Sequence, residues 1–167
     1  NRVAIVSTQN DAMLGLRDLY VNGKTTEIVL DEEYVKDSTD FRSSILKIVS
    51  KKADAVYVLL YPPQTGIFVK QLREQGFKGE AFGVHNIEDP REVEASAGSM
   101  IGMWLANADE TAGENYNSDY LNRFGAKTSL GGASGYDSAK MFIEASQQQG
   151  DVNTYLHSLR GFKGAFG

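Results

Sequence analysis

A chain of 167 residues, 41% hydrophobic and 23% charged, is long enough to bury a substantial core and too apolar to remain disordered. Its formal net charge is −5 and Lys51-Lys52 is its only adjacent basic pair, so nucleic acid is excluded as a partner. The absence of cysteine removes disulfides, thiolate catalysis and cysteine-based zinc sites, and no apolar run approaches the roughly 20 residues that a membrane-spanning helix needs.

In chain order, Val3 to Val6 reads as a buried strand, Ser7 to Asp11 as a polar loop, and Met13, Leu14, Leu16, Leu19 and Tyr20 as the apolar side of a helix ending at Asn22-Gly23. Thr26 to Leu30 reads as a second strand, with Asp31-Glu32-Glu33 as its solvated end. Ser38-Thr39-Asp40 supplies capping side chains for a helix whose stripe is Phe41, Ile45, Ile48 and Val49. Two continuous apolar runs, Ala55 to Leu60 and Ala81 to Val84, bracket a helical segment closing at Gly76, the pattern of a βαβ unit with parallel strands buried on both faces. Ile87 to Ala97 reads as a loop and short helix with Asp89 as cap and Pro90 in the first turn, and Met100 to Leu105 as a fifth strand.

After Ala106 the character changes to a polar connection followed by three helical stripes: Tyr116, Tyr120, Leu121 and Phe124; Tyr136, Ala139 and Ile143, with Ser134 as N-cap; and Val152, Tyr155, Leu156 and Leu159, capped by Asp151. Three stripes require a surface to cover. The abrupt opening at Asn1-Arg2, without the layout of a signal peptide, and the equally abrupt close at Gly167 read as a piece of a longer chain.

Ligands of open α/β sheets bind at the carboxyl ends of the strands, which singles out Tyr61 and His85, the residues following the two central runs. Pro62-Pro63 stiffens the turn that carries Tyr61. His157, inside a helix and away from acidic residues, reads as a solvated side chain. A nucleophile elbow at Gly132-Ala133-Ser134-Gly135 fails because Tyr136 stands where the second glycine is required, and a Ser134, His85, Asp137 triad has no support beyond composition. No metal site or other cofactor is expected: His85 and Glu88 follow a strand rather than sharing a helix face, and the Ser7 to Ala12 loop lacks the glycines of a phosphate cradle.

Taken in order, Arg2-Val3-Ala4-Ile5-Val6, Ser38-Thr39-Asp40-Phe41 with Ile45-Leu46, Ala53-Asp54-Ala55-Val56-Tyr57, Lys70 to Phe77, and Gly135-Tyr136-Asp137-Ser138-Ala139 resemble the periplasmic binding proteins of branched-chain amino-acid transporters. The resemblance implies an α/β fold of two lobes: residues 1–107 correspond to the second lobe, a three-layer parallel sheet, and residues 108–167 to the crossover and helical segment of an incomplete first lobe. It implies an extracytoplasmic, non-catalytic binder of a small-molecule solute that serves the membrane permease of an ATP-driven importer. By position it places ligand contacts at Ala12 with its neighbour Asp11, at Tyr61, at His85 and near Leu130. His85 stands where amino-acid binders place a carboxylate for the ligand ammonium, which disfavours an α-amino acid and favours a polar or anionic group. The same fold also serves as a ligand-sensing receptor domain, and a small serine hydrolase using Ser134 is a third class. The apolar surface that an absent lobe would cover is expected to promote self-association.

Overall fold

The computed structural model describes residues 1–23, 25–106, 114–128, 131–147 and 151–158. The chain divides into two compact units, Asn1–Asn107 and Ala108–Gly167. The first contains β1 (Arg2–Thr8), β2 (Glu27–Tyr34), β3 (Ala55–Leu59), β4 (Glu80–Val84) and β5 (Trp104–Ala106), all parallel, in the order β2-β1-β3-β4-β5. Helices α1 (Asp11–Gly23), α2 (Arg42–Ser50), α3 (Gln64–Glu74) and α4 (Pro90–Ser96) connect them, giving the expected α/β sheet flanked by helices. Because β2 lies on one side of β1 and β3 to β5 on the other, right-handed crossovers send α1 to one face and α2 and α3 to the opposite face.

Strand alternation then sorts the core. Ala4, Val6, Val56, Val58 and Leu60 point toward α2 and α3, where they meet Phe41, Ile45, Ile48, Phe68 and Leu72, all with no exposed surface. Phe41 and Phe68 pack edge to face at 5.4 Å. Val3, Ile5, Tyr57 and Leu59 point the other way, against Met13, Leu16 and Tyr20 of α1, and Tyr57 stacks on Phe82 at 4.7 Å. Helix α3 ends where Gly76 adopts a φ of +82°, a left-handed conformation that glycine takes without strain.

The carboxylate of Glu92 on α4 is buried against the start of α3, where it accepts hydrogen bonds from the backbone N–H groups of Thr65 at 3.2 Å and Gly66 at 2.6 Å. These are donors that a helix cannot satisfy within itself. A side chain on Gly66 would collide with the backbone of α4, since its Cβ would sit 2.3 Å from Glu92 O. The expected capping of α4 is present: Asp89 accepts from the Arg91 N–H, with Pro90 at the first helical position.

Four local expectations are corrected. Strand β2 continues through Asp31, Glu32 and Glu33 to Tyr34 instead of ending at Leu30, because successive carboxylates alternate between the two sheet faces and find partners on both. Asp31 and Glu33 pair with Arg17 of α1 at 2.8 and 3.7 Å, and Glu32 with Lys47 of α2 at 2.6 Å. The fifth strand is confined to Trp104–Ala106, since Gly98 and Gly102, with φ near +86° and +83°, turn the chain before it. Val49 is 43% exposed and leaves the α2 stripe to Phe41, Ile45 and Ile48.

The second unit contains α5 (Glu114–Phe124), α6 (Gly132–Ser146) and α7 (Val152–Ser158). The Tyr116 ring contacts those of Tyr120 and Tyr136, joining α5 to α6. Asp151 caps α7 by accepting from the Thr154 N–H at 2.9 Å. In the fourth correction, Ser134 lies within α6, whose first turn starts at Gly132 after Gly131 at a φ of +79°. Leu159 falls outside the described residues.

Candidate functional site

The carboxyl ends of β1, β2 and β3 converge on one edge of the sheet, and the loops that leave them form a cavity of about 480 Å³. Thr8, Gln9, Asn10, Asp11 and Ala12 supply one wall, Lys36 a second and Tyr61 a third. Three strand ends are therefore represented by three chemically different groups: a carboxylate and amides, an ammonium, and a phenol. Asn10 fixes the first wall by accepting the Met13 N–H at 3.0 Å, which caps α1 and directs the loop. The Gln9 N–H donates to Tyr34 O at 2.8 Å, so the ends of β1 and β2 are joined just below the cavity.

Beside it, Glu32, Tyr34 and Ser44 form a hydrogen-bonded cluster with Lys47. Burial, with a contribution from the Glu32 charge, pushes the Tyr34 phenol up to about 12. Burial acts to raise the Glu32 carboxyl too, but the hydrogen bonds from Lys47 and Ser44 outweigh it and hold that carboxyl below its ordinary value. The cluster thus carries a fixed negative charge neutralised by Lys47, and Lys36 has no ion-pair partner among the described residues.

Of the residues singled out from sequence, Tyr61, Asp11 and Ala12 are brought together on this cavity. Tyr61 is 37% exposed, and its N–H donates to Thr8 Oγ1 at 3.3 Å. His85 is exposed at the start of a 3₁₀ turn, His85–Glu88, after β4; it shares the sheet edge but is not in the cavity wall. Leu130 lies outside the described residues. Ser134 is exposed on α6, and no group of three His, Cys, Asp or Glu side chains able to hold a metal occurs among the described residues.

Lys36 was not anticipated. With the second strand read as Thr26 to Leu30, its carboxyl end falls four residues short of Tyr34. The rule that strand ends carry ligand contacts would have found it had the strand been followed to Tyr34. A second hollow, of about 420 Å³, lies on the α1 face between Tyr20, Tyr57, Phe82, Trp104 and Leu105. It lacks the converging polar groups of a solute site.

A family model described as periplasmic binding protein matches residues 11–166. The fold is similar to that of the branched-chain amino acid transporter substrate-binding protein LivJ from Streptococcus pneumoniae in complex with isoleucine, at 22% identity and a TM-score of 0.82 over 99% of this chain and 51% of that one. Leucine-binding protein LivK from Thermotoga maritima matches at 20% identity and a TM-score of 0.81, over 99% and 51%. A solute-binding protein of an ABC transporter from Rhodopseudomonas palustris in complex with 3,4-dihydroxybenzoic acid matches at 20% and 0.69, over 100% and 50%. The chain spans about half the length of each of these proteins. The parallel five-stranded sheet, its flanking helices and the family match agree on the type 1 periplasmic binding protein fold. The chain belongs to the periplasmic binding protein family, a family of extracytoplasmic, non-enzymatic solute-binding proteins that work with ABC transporter permeases.

Proposed function

We propose that this chain is the second lobe, residues 1–107, and part of the first lobe, residues 108–167, of a solute-binding protein for an ABC importer, and that it holds one side of a small polar solute without catalysing a reaction. The observation that carries this reading is the cavity at the strand ends, where Tyr61, Asp11, Ala12 and Lys36 meet. Tyr61 presents an aromatic face and a hydroxyl, the two features that orient a small ring or chain. Lys36 brings a positive charge suited to a carboxylate, and Asp11 brings a negative charge that could pair with an ammonium, so both small carboxylates and amino acids remain in the ligand class. His85, exposed at the same edge, is suited to contact a solute only when a facing lobe closes over it. The proteins of similar fold bind an amino acid in one case and an aromatic acid in another.

Calorimetric titration of the intact protein with L-isoleucine, benzoate and 3,4-dihydroxybenzoate tests the assignment. One of these should bind, and Tyr61→Ala and Lys36→Ala should each weaken it by about tenfold or more, equivalent to about 1.4 kcal/mol. Affinity unchanged in both variants overturns the site.

A further inference from the structure

Gln64 does not line the cavity, yet its side chain, 2% exposed, bonds to the end of β1 and to the loop after β2, two of the segments that border it. Its Oε1 accepts from Thr8 Oγ1 at 3.1 Å, at the end of β1. Its Nε2 donates to Val35 O at 3.2 Å and to Ser38 O at 3.1 Å, carbonyls on either side of Lys36. Carbonyls only accept, so the amide orientation follows from its partners. Thr8 Oγ1, its proton given to Gln64, accepts in turn from the Tyr61 N–H at 3.3 Å, and the Gln64 N–H donates to Tyr61 O at 2.6 Å. Both side-chain amide protons and one oxygen lone pair therefore tie the loop after β2 to the end of β1, 56 residues from Gln64 in sequence, while the Thr8 hydroxyl and the Gln64 backbone N–H hold the Tyr61 turn to the same point.

We infer that Gln64 is the positioning residue of this cavity: it sets the spacing of Lys36 and Tyr61 without touching the solute, an assignment that rests on the reading of the cavity as the solute site. No near relative of glutamine performs the same task. Asparagine is one methylene shorter and does not span the gap. Methionine fills the volume but has no donor. An ionised glutamate accepts from Thr8 but repels the two carbonyls, and regains a single donor only when protonated.

Two reporter amides on the full chain test this without any solute: that of Gln9, which donates to Tyr34 O, and that of Ser38, which donates to Val35 O at 3.3 Å. In Gln64→Met, hydrogen exchange at both should accelerate by about tenfold or more while the amides of β3 and β4 keep their protection. Acceleration at only one reporter, at neither, or evenly across the sheet unit overturns the inference. In Gln64→Glu, the ratio of the Ser38 exchange rate to that of the unsubstituted chain should fall as the pH is lowered through the carboxyl range, because protonation restores a donor. A pH-independent ratio also overturns it, and this arm serves if Gln64→Met does not fold. Failure of the unsubstituted protein to bind any tested solute would remove the proposed function and leave the exchange result intact.

Discussion

Phe41, Phe68, Ile45 and Ile48 of the sheet unit have no exposed surface, whereas Phe124, Phe142 and Ile143 of the helical unit are 60%, 62% and 58% exposed. Both units are built from helices with an apolar stripe. The difference is what each stripe faces. In the sheet unit, β1 and β3 present side chains to both faces, so α2 and α3 meet a ready-made apolar surface on one side and α1 meets another on the other. In the helical unit the described residues offer helices only to one another, and Ala133 and Ala145 are the buried apolar side chains. An amphipathic stripe is half of a core, and it stabilises the fold only to the extent that water leaves both halves.

The largest expected effect is at the centre of the closed face. Phe68→Ala should lower the stability of the sheet unit by about 3–5 kcal/mol, read as a shift in the urea midpoint of the emission of Trp104, the chain's single tryptophan and itself on β5. A loss near that of a surface substitution would mean that the closed face is not the core.

Next comes the buried carboxylate that joins α4 to α3. Glu92→Ala leaves the Thr65 and Gly66 N–H groups without an acceptor, at a cost of about 1–3 kcal/mol by the same measurement. Glu92→Gln keeps an acceptor and removes the charge. Burial raises the Glu92 carboxyl above its ordinary value, against the opposing effect of its two backbone hydrogen bonds. The folded state then holds this proton more tightly than the unfolded state. The contribution to stability is fully present below the unfolded carboxyl value and is lost as the pH rises through the raised folded value. The difference in stability between Glu92→Gln and the unsubstituted chain should therefore grow in favour of the variant across that window. A difference that stays constant with pH would place the Glu92 carboxyl at its ordinary value.

The smallest effect is expected on the helical unit. Phe142→Ser should change stability by no more than about 0.5 kcal/mol, followed by the loss of helical circular dichroism on heating. A cost several times larger would show that the exposed stripe is covered in solution, and the contrast between the units would disappear.

Much of the scaffold was legible from local pattern. The runs Val3 to Val6, Ala55 to Leu60 and Ala81 to Val84 are apolar without interruption because their strands are buried on both faces, and such runs occur chiefly in parallel sheets with helices on each side. Tyr61 was accessible for the same reason, as the first residue past such a run and its buried end. Asp31-Glu32-Glu33 reads from sequence as a solvated strand end, because nothing local shows a partner for any of three adjacent carboxylates. Their compensation by Arg17 and Lys47 lies on α1 and α2, in opposite directions along the chain. That reading hid Lys36.

His85 illustrates the opposite case. Its place in the sequence after β4 puts it at the carboxyl edge of the sheet, but the 3₁₀ turn that begins there leaves it out of the cavity wall. Sequence alone determined the strand runs, the parallel α/β class, the edge at which a ligand would be sought and Tyr61 as a residue on it, because apolar periodicity and strand ends are properties of consecutive residues. The tertiary structure decided the extent of β2, the presence of Lys36 in the cavity and the role of Gln64. Those depend on hydrogen bonds and ion pairs spanning 14 to 56 residues, formed between groups that only the crossovers of the sheet bring into reach.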